Sequence, residues 1–294
     1  MAELCRDDAA WPSGLGDLKS DQPARLHVAG RLPNLGGAVA IVGTRYANED
    51  AVEFTRKLAA AVAIAGHAVV SGGAQGIDAA AHRGCLEGGG ATVAVLATGL
   101  VRAYPSGHDA LFRAVAAQGA AISEEFEPQA LHGHSFLHRN RLIAALAPTL
   151  VVVQAPLRSG ALSTARWARK LGRRVLAVPA APWDVRGMGC LAWLRSGAQI
   201  CTSVTDVLSL PASGPGAHAE KGAGRSKKSN KRDGLFGSAQ AVCRLLRTGS
   251  RCPDELSVCL DMPAAKVQEA LLSLQLMGRI RRRVDGTYEL ARKS

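Results

Sequence analysis

The stretch SFLHRNRLIAAL, residues 135–146, gathers Phe136, His138, Arg139, Asn140 and Arg141 immediately ahead of an apolar run. Two guanidiniums can hold phosphates, an asparagine amide can bond backbone or base, and a phenyl ring offers a face on which a base can stack. Basic residues interleaved with one aromatic suit a single strand of nucleic acid better than a duplex groove. The same residues also fit a plainer account, with Phe136, Leu142 and Ile143 in a core and the arginines at a solvated helix end. Arginine at a helix start opposes the macrodipole, at a cost of roughly a few tenths of a kcal/mol unless an anion sits there, and this favours a ligand.

Other loops carry compatible chemistry. VGTR presents Arg45 after Gly43, and SGGAQGID runs from Ser71 through Gly72 and Gly73 to Asp78. Glycines let a backbone approach an anion closely, and the amides that open the next helix point at it. A tight strand-to-helix turn, with Asp78 as a packing residue, accounts for the loop equally well. It is neither GxGxxG nor GxxxxGK[ST], which disfavours a dinucleotide cofactor or a Walker-type NTPase. LRSGALSTAR places Arg158 and Ser159 between a run and a helix, for anion holding or for capping by Ser159. Tyr104 could supply a second ring, or a buried structural one. His132, His134 and His138 are spaced for metal, but no carboxylate or cysteine completes the set, so no metal is expected. Ser71 lacks the GxSxG frame of a nucleophile, and no Ser, His and Asp set is evident. Glu124 and Glu125 end a run and could act as acid or base.

The elements that must position these loops repeat one unit from Ala38 onward: a β-branched run, a loop, then an alanine-rich stretch of helical period. The runs lie at 38–43, 67–73, 91–99, 120–125, 149–155, 173–180 and 198–203. Their near-continuous apolarity is that of parallel strands covered on both faces, which predicts a doubly wound, mostly parallel α/β sheet with ligands at the strands' carboxyl ends. Residues 1–37 are expected to be an N-terminal extension, 38–210 the sheet domain, 211–234 a basic flexible linker, and 235–294 a small winged helix. Pro263 suits the first turn of its third helix, Val267, Leu271 and Leu274 give that helix an apolar face, and Asp285-Gly286 signals a hairpin.

The chain's 36 Lys+Arg against 24 Asp+Glu give +12, which suits a polyanionic partner. Residues 1–210 contribute only +4 of this, and 211–234 and 235–294 another +4 each. In the winged helix the third helix holds Lys266 beside Glu269, poor equipment for a major-groove reader. Arg279, Arg281, Arg282 and Arg283 cluster on the wing, where they suit nonspecific phosphate contacts or a protein surface. No secretory signal or membrane-length apolar run is evident, and seven cysteines without a CxxC pair suggest a reducing cytoplasm.

Six ordered motifs, VGTR, SGGAQGIDAAAH, ATGLVRAYP, HSFLHRNRLIAAL, LRSGALSTAR and AVPAAPWDVRGMGC, span about residues 38–208. In this the chain resembles the DprA/Smf (DNA-processing protein A) family of bacterial transformation proteins, many of which carry a C-terminal winged helix. The resemblance implies a Rossmann-like, non-enzymatic domain without cofactor. It would form a homodimer, bind single-stranded DNA without sequence preference and pass that DNA to the RecA recombinase. It implies a phosphate path through Arg45, Ser71, Gly72, Gly73, Arg139, Asn140 and Arg141, with Phe136 as the base-contacting aromatic. Gln75 stands where the family usually has a basic residue and Leu137 where it has a proline, and RGMGCLAWL lacks a common asparagine. Too few residues precede the first strand for the helical domain of longer members. Two other readings remain: a nucleotide phosphoribohydrolase, whose PGGxGTxxE motif is absent here, and a duplex-binding regulator acting through the winged helix.

Overall fold

A computed structural model describes residues 1–101, 104–126, 133–209, 242, 246, 252–260, 264–276, 279–283 and 287–291. The chain divides into two compact units, Met1–Gly216 and Ala217–Ser294.

In the first unit all seven apolar runs form strands: β3 (Val39–Val42), β4 (Val69–Ser71), β5 (Thr92–Leu96), β6 (Ala120–Ser123), β7 (Thr149–Val152), β8 (Arg174–Ala177) and β9 (Gln199–Ile200). They pair in parallel. Side chains alternate between the two faces with the strand period. Val39, Ile41 and Val151 pack with Leu58 and Val62 of α1 (Glu49–Ile64) and Ile77 of α2 (Ile77–Glu87). Ala40, Val42 and Val152 face Leu142 and Leu146 of α4 (Gly133–Leu146) and Leu162 of α5 (Gly160–Lys170). Between α2 and α4 in the chain lies α3 (Asp109–Gln118), whose Phe112 and Val115 pack on Ala94 and Leu96. After β8 come α6 (Met188–Arg195) and α7 (Val204–Leu208).

The stretch ahead of Ala38 is part of this unit. Residues Ala2–Cys5 (β1) and Arg25–Gly30 (β2) pair antiparallel, and β2 pairs antiparallel with β6, which gives a nine-strand order β1-β2-β6-β5-β4-β3-β7-β8-β9. A 3-10 helix, Ser13–Asp21, buries Leu15 and Leu18 beside α4. Leu26 and Val28 bury the inner face of β2, a two-residue alternation too brief to stand out against the long apolar runs. The order steps outward from β3 to β4, β5 and β6, then returns across β3 to β7. The direction of winding thus reverses between β3 and β7, where parallel sheets open a crevice at the carboxyl ends.

In the second unit, α8 (Pro253–Leu260) and α9 (Ala264–Leu276) precede an antiparallel pair, β10 (Ile280–Arg282) and β11 (Tyr288–Leu290). Val267, Leu271 and Leu274 are buried with Val242, Leu246, Leu256 and Ile280, as the apolar face of the third helix requires. Asp285 and Gly286, the linker 211–234 and the Arg282 side chain lie outside the described residues. Among the described residues no helix is long and apolar enough to cross a membrane.

Candidate nucleic-acid interface

Parallel strands direct the loops after β3, β4, β5, β7 and β8 to one edge of the sheet. The β3 loop carries Arg45, exposed, with its guanidinium carbon 4.9 Å from the centroid of the Phe136 ring. A cation over a ring face at this distance is attracted by the ring quadrupole. The half-buried Phe136 ring lies 5.7 Å from that of Tyr104, which is 38% exposed. These three side chains line a small cavity of about 80 Å³ together with Gly72, Gln75 and Arg139. The β3 and β4 loops are locked against each other at Gly76 (φ 74°), where a Cβ would stand 2.5 Å from the Thr44 carbonyl oxygen. The Ile77 amide donates to that same oxygen.

The glycine loop already has an anion. Asp78 is buried in the first turn of α2, and its carboxylate accepts from the Ala74 amide at 3.4 Å, with the Gly43 and Gly72 amides also drawing on it. Burial pushes its carboxyl up to about 6, against the opposing pull of the Arg139 guanidinium and these amides. Arg139 is itself buried, at 7% exposure, and donates from Nη1 to the Gly72 carbonyl at 2.7 Å and to the Val95 carbonyl. Burial lowers it to about 10, which leaves it cationic at neutral pH. Gly72 is a glycine because both groups close over it: a Cβ would stand 2.6 Å from Asp78 Oδ2 and 2.8 Å from Arg139 Nη2.

Three residues expected on the phosphate path are turned inward. The Ser71 hydroxyl donates to the Ile41 carbonyl at 2.6 Å and is fully buried. Asn140 donates to the Gly160 carbonyl at 3.1 Å. Arg141, 3% exposed, makes two hydrogen bonds to the Glu124 carboxylate and one from Nε to the Asp21 carbonyl at 2.8 Å. Glu124 is thereby a structural partner rather than a free acid or base. The macrodipole argument does not apply either, because α4 begins at Gly133 and these arginines stand inside the helix. Gly73 is buried beneath Phe112. Ser159 caps α5, accepting from the Ala161 amide at 3.2 Å, while Arg158 stands exposed on the same loop, outside the cavity lining. The side chains of His132 and His134 lie outside the described residues. Among the described residues no group of three His, Cys, Asp or Glu side chains gathers for a metal.

Sequence reasoning passed over Gln154. Its Oε1 accepts from the Asn48 amide at 3.2 Å and its Nε2 donates to Asp184 Oδ2 at 3.0 Å, which ties the β3 and β8 loops to the end of β7. A polar residue closing the apolar run TLVVV was the available signal.

Two family profiles match the chain: one described as DNA recombination-mediator protein A, over residues 3–211, and one described as the DprA winged helix domain, over residues 229–286. The chain belongs to the DNA processing protein A family. It is 40% identical over 273 residues to a Mycobacterium tuberculosis protein provisionally named DNA processing protein DprA, covering 92% of this chain and 67% of that one. It is 36% identical over 204 residues to DNA processing protein DprA of Streptococcus pneumoniae, covering 68% and 71%. The solved structure of the Streptococcus pneumoniae protein superposes with a TM-score of 0.67 at 33% identity, covering 71% of this chain and 73% of that one. A Helicobacter pylori DNA processing protein A, whose structure is described as revealing a single-stranded DNA binding mode, gives 0.63 at 29% identity, covering 70% and 94%. The C-terminal unit of this family member is accordingly a winged helix.

Proposed function

We propose that this protein binds single-stranded DNA without sequence preference at the carboxyl edge of its parallel sheet, as a recombination mediator rather than an enzyme. The observation that carries this reading is the alignment of Arg45, Phe136 and Tyr104 around one small open cavity. A guanidinium over a ring offers a phosphate contact beside a stacking face, and every base has a π-face to stack, so the site tolerates any sequence. Arg139 lines the cavity from beneath with its charge offset by Asp78, and Arg158 adds an exposed charge on the adjoining loop. Non-enzymatic action is supported by the burial of Asp78 and His82, which keeps both from an incoming substrate.

The Helicobacter pylori relative's described single-strand binding supports the same ligand here. The family's description as a recombination mediator supports delivery of the strand to a RecA recombinase. In this reading two copies of the chain, a cytoplasmic homodimer, extend the basic track.

The test is fluorescence anisotropy with a labelled single strand and its duplex over a salt series, for wild type, Arg45→Ala and Phe136→Ala. The expected result is a salt-sensitive preference for the single strand, with log K falling against log salt at a slope of about −0.7 for each phosphate neutralised, and weaker binding by either variant. Equal affinity for duplex, or variants that bind as wild type does, would refute this reading. RecA filament formation on a coated single strand, with and without the protein, tests the delivery step.

A further inference from the structure

Two aromatic side chains on the same edge stand almost wholly in solvent: Tyr46 at 83% and Trp183 at 84% exposure. Single exposed apolar residues need no explanation, but these two rise from loops that are held together. Tyr46 follows Arg45 after β3, and Trp183 lies in the loop after β8. The hydrogen bonds from the Asn48 amide to Gln154 and from Gln154 to Asp184 join those two loops through the end of β7. Gln154 is buried, so the tie is fixed to the sheet. Positive charge accompanies the rings. Arg45 and Arg158 are exposed, and Arg186 is exposed with its Nε 3.3 Å from Asp184, which neutralises it in part.

We propose that Tyr46 and Trp183 are two further base-stacking platforms, which carry a single strand from the Phe136 cavity across the carboxyl ends of β3, β7 and β8, with Arg45, Arg158 and Arg186 meeting its phosphates. This rests on the single-strand reading given above and extends it. From β5, which leads to Tyr104, to β8, which leads to Trp183, the sheet order takes the steps β5-β4-β3-β7-β8. At strand spacing that is a lateral span of about 19 Å. It accommodates on the order of four nucleotides, the low end of single-strand site sizes. Rings at intervals along a positively charged edge are what a sequence-tolerant strand path requires. A mononucleotide site would leave both outer rings without a purpose.

The experiment uses the full chain and thymidine oligonucleotides of increasing length, read by anisotropy, with a parallel set carrying abasic sites at one end. Trp183→Ala is expected to weaken long oligonucleotides by about 5- to 150-fold. It should leave the shortest that binds unchanged and lose its effect on the abasic set, and Trp183→Phe should bind as wild type does. Tyr46→Ala should follow the same pattern, whereas Phe136→Ala weakens every length. Both rings are solvent-exposed, so thermal unfolding of the variants should match wild type. Should Trp183→Ala and Tyr46→Ala bind every length as wild type does while Phe136→Ala fails, the extended path is wrong and the single-strand site stands. Should Trp183→Ala alter sedimentation of the free protein and leave DNA binding unchanged, Trp183 belongs to a protein interface and the extended path is again wrong. If wild type binds no single strand, both readings fall together.

Discussion

The Arg141 guanidinium closes on the Glu124 carboxylate through two hydrogen bonds, 2.7 Å from Nη1 to Oε2 and 2.6 Å from Nη2 to Oε1. The same side chain reaches the Asp21 carbonyl, so one residue of α4 fastens the end of β6 and the N-terminal 3-10 helix. Arg141 is buried while Glu124 keeps 23% of its side chain in solvent, so removing the guanidinium leaves a partly hydrated charge unpaired, at a cost of about 1–3 kcal/mol. Arg141→Ala should therefore lower stability by about that amount in urea unfolding. Lysine cannot form the bidentate pair, so Arg141→Lys should recover only part of the loss. A fully stable Arg141→Ala that binds DNA poorly would instead return Arg141 to the phosphate path.

Gly72 is hemmed in by two charged groups, and the strain of filling that space is predictable. A methyl group there must displace Asp78 Oδ2 or the Arg139 guanidinium, both buried and both bonded to the loop. Overpacking of this kind costs about 1–3 kcal/mol. Gly72→Ala should lose stability in that range. It should also weaken single-strand binding, because Gly72 and Arg139 both line the cavity beside Phe136. Unchanged unfolding midpoints would show that the Asp78 and Arg139 pair is not held as tightly as its hydrogen bonds require.

How much of this could be read beforehand depends on what each residue's partner is. The seven parallel strands were legible because both faces are covered, and unbroken apolar runs such as TLVVV leave few alternatives. Strands β1 and β2 were not, since a strand with one buried side needs only Leu26 and Val28, and its antiparallel partner β6 is remote in sequence. Arg45 was legible as an exposed cation in the loop after β3, and Phe136 as an aromatic beside a basic cluster, although it stands in the first turn of α4 and not in a loop. The directions of Arg139 and Arg141 were not legible. Two residues apart, they project about 200° around the helix axis from one another. Which acceptors await them is decided by Gly72 and Val95 on one side, and by Glu124 and Asp21 on the other. Charge alone marks both as candidates, and only tertiary contacts separate the arginine that lines the cavity from the one enclosed by Glu124 and Asp21.

His82 sets a distinct pH signature. The Thr92 hydroxyl donates to the Val69 carbonyl at 2.9 Å, so it accepts from His82 Nδ1 at 2.8 Å, which puts a proton on Nδ1. Its Nε2 is buried without a partner. Burial, helped by the positive charges of His108, Arg139 and Arg83, lowers it to about 3. The unfolded chain takes up this proton near pH 6.5 and the folded chain near 3, so the stability present above about pH 6.5 is lost as pH falls through that window. Asp78 acts in the opposite sense: the folded state holds its proton up to about 6, so its contribution declines as pH rises from about 4 to 6. The imidazole shift is the larger, and His82→Leu removes it while leaving Asp78 in place. The stability difference between wild type and His82→Leu, measured by urea unfolding, should change by a few kcal/mol between pH 7 and pH 4, with the variant gaining on wild type as pH falls. A difference that does not change with pH would mean that the buried imidazole is not neutral.

The wing carries charge that is already partly spent. Arg281 pairs with Glu289 at 2.5 Å, Arg283 lies 3.8 Å from the same carboxylate, and Arg279 is exposed beside them. Among the described residues Glu289 is the carboxylate that meets Arg281 and Arg283, which leaves the exposed Arg279 to carry positive charge at the strand edge, while α9 presents Lys266 and Glu269 together on its exposed side. Such a surface attracts phosphates without reading bases. Replacing Arg279, Arg281 and Arg283 by alanine in the full chain should therefore weaken single-strand and duplex binding by similar factors. The salt dependence should become shallower by up to about one phosphate per arginine, and sequence preference should not change. Anisotropy over a salt series, with duplexes of several unrelated sequences, distinguishes the cases. A loss confined to one duplex sequence would make the wing a sequence reader, and no loss at all would leave its positive edge to a protein partner.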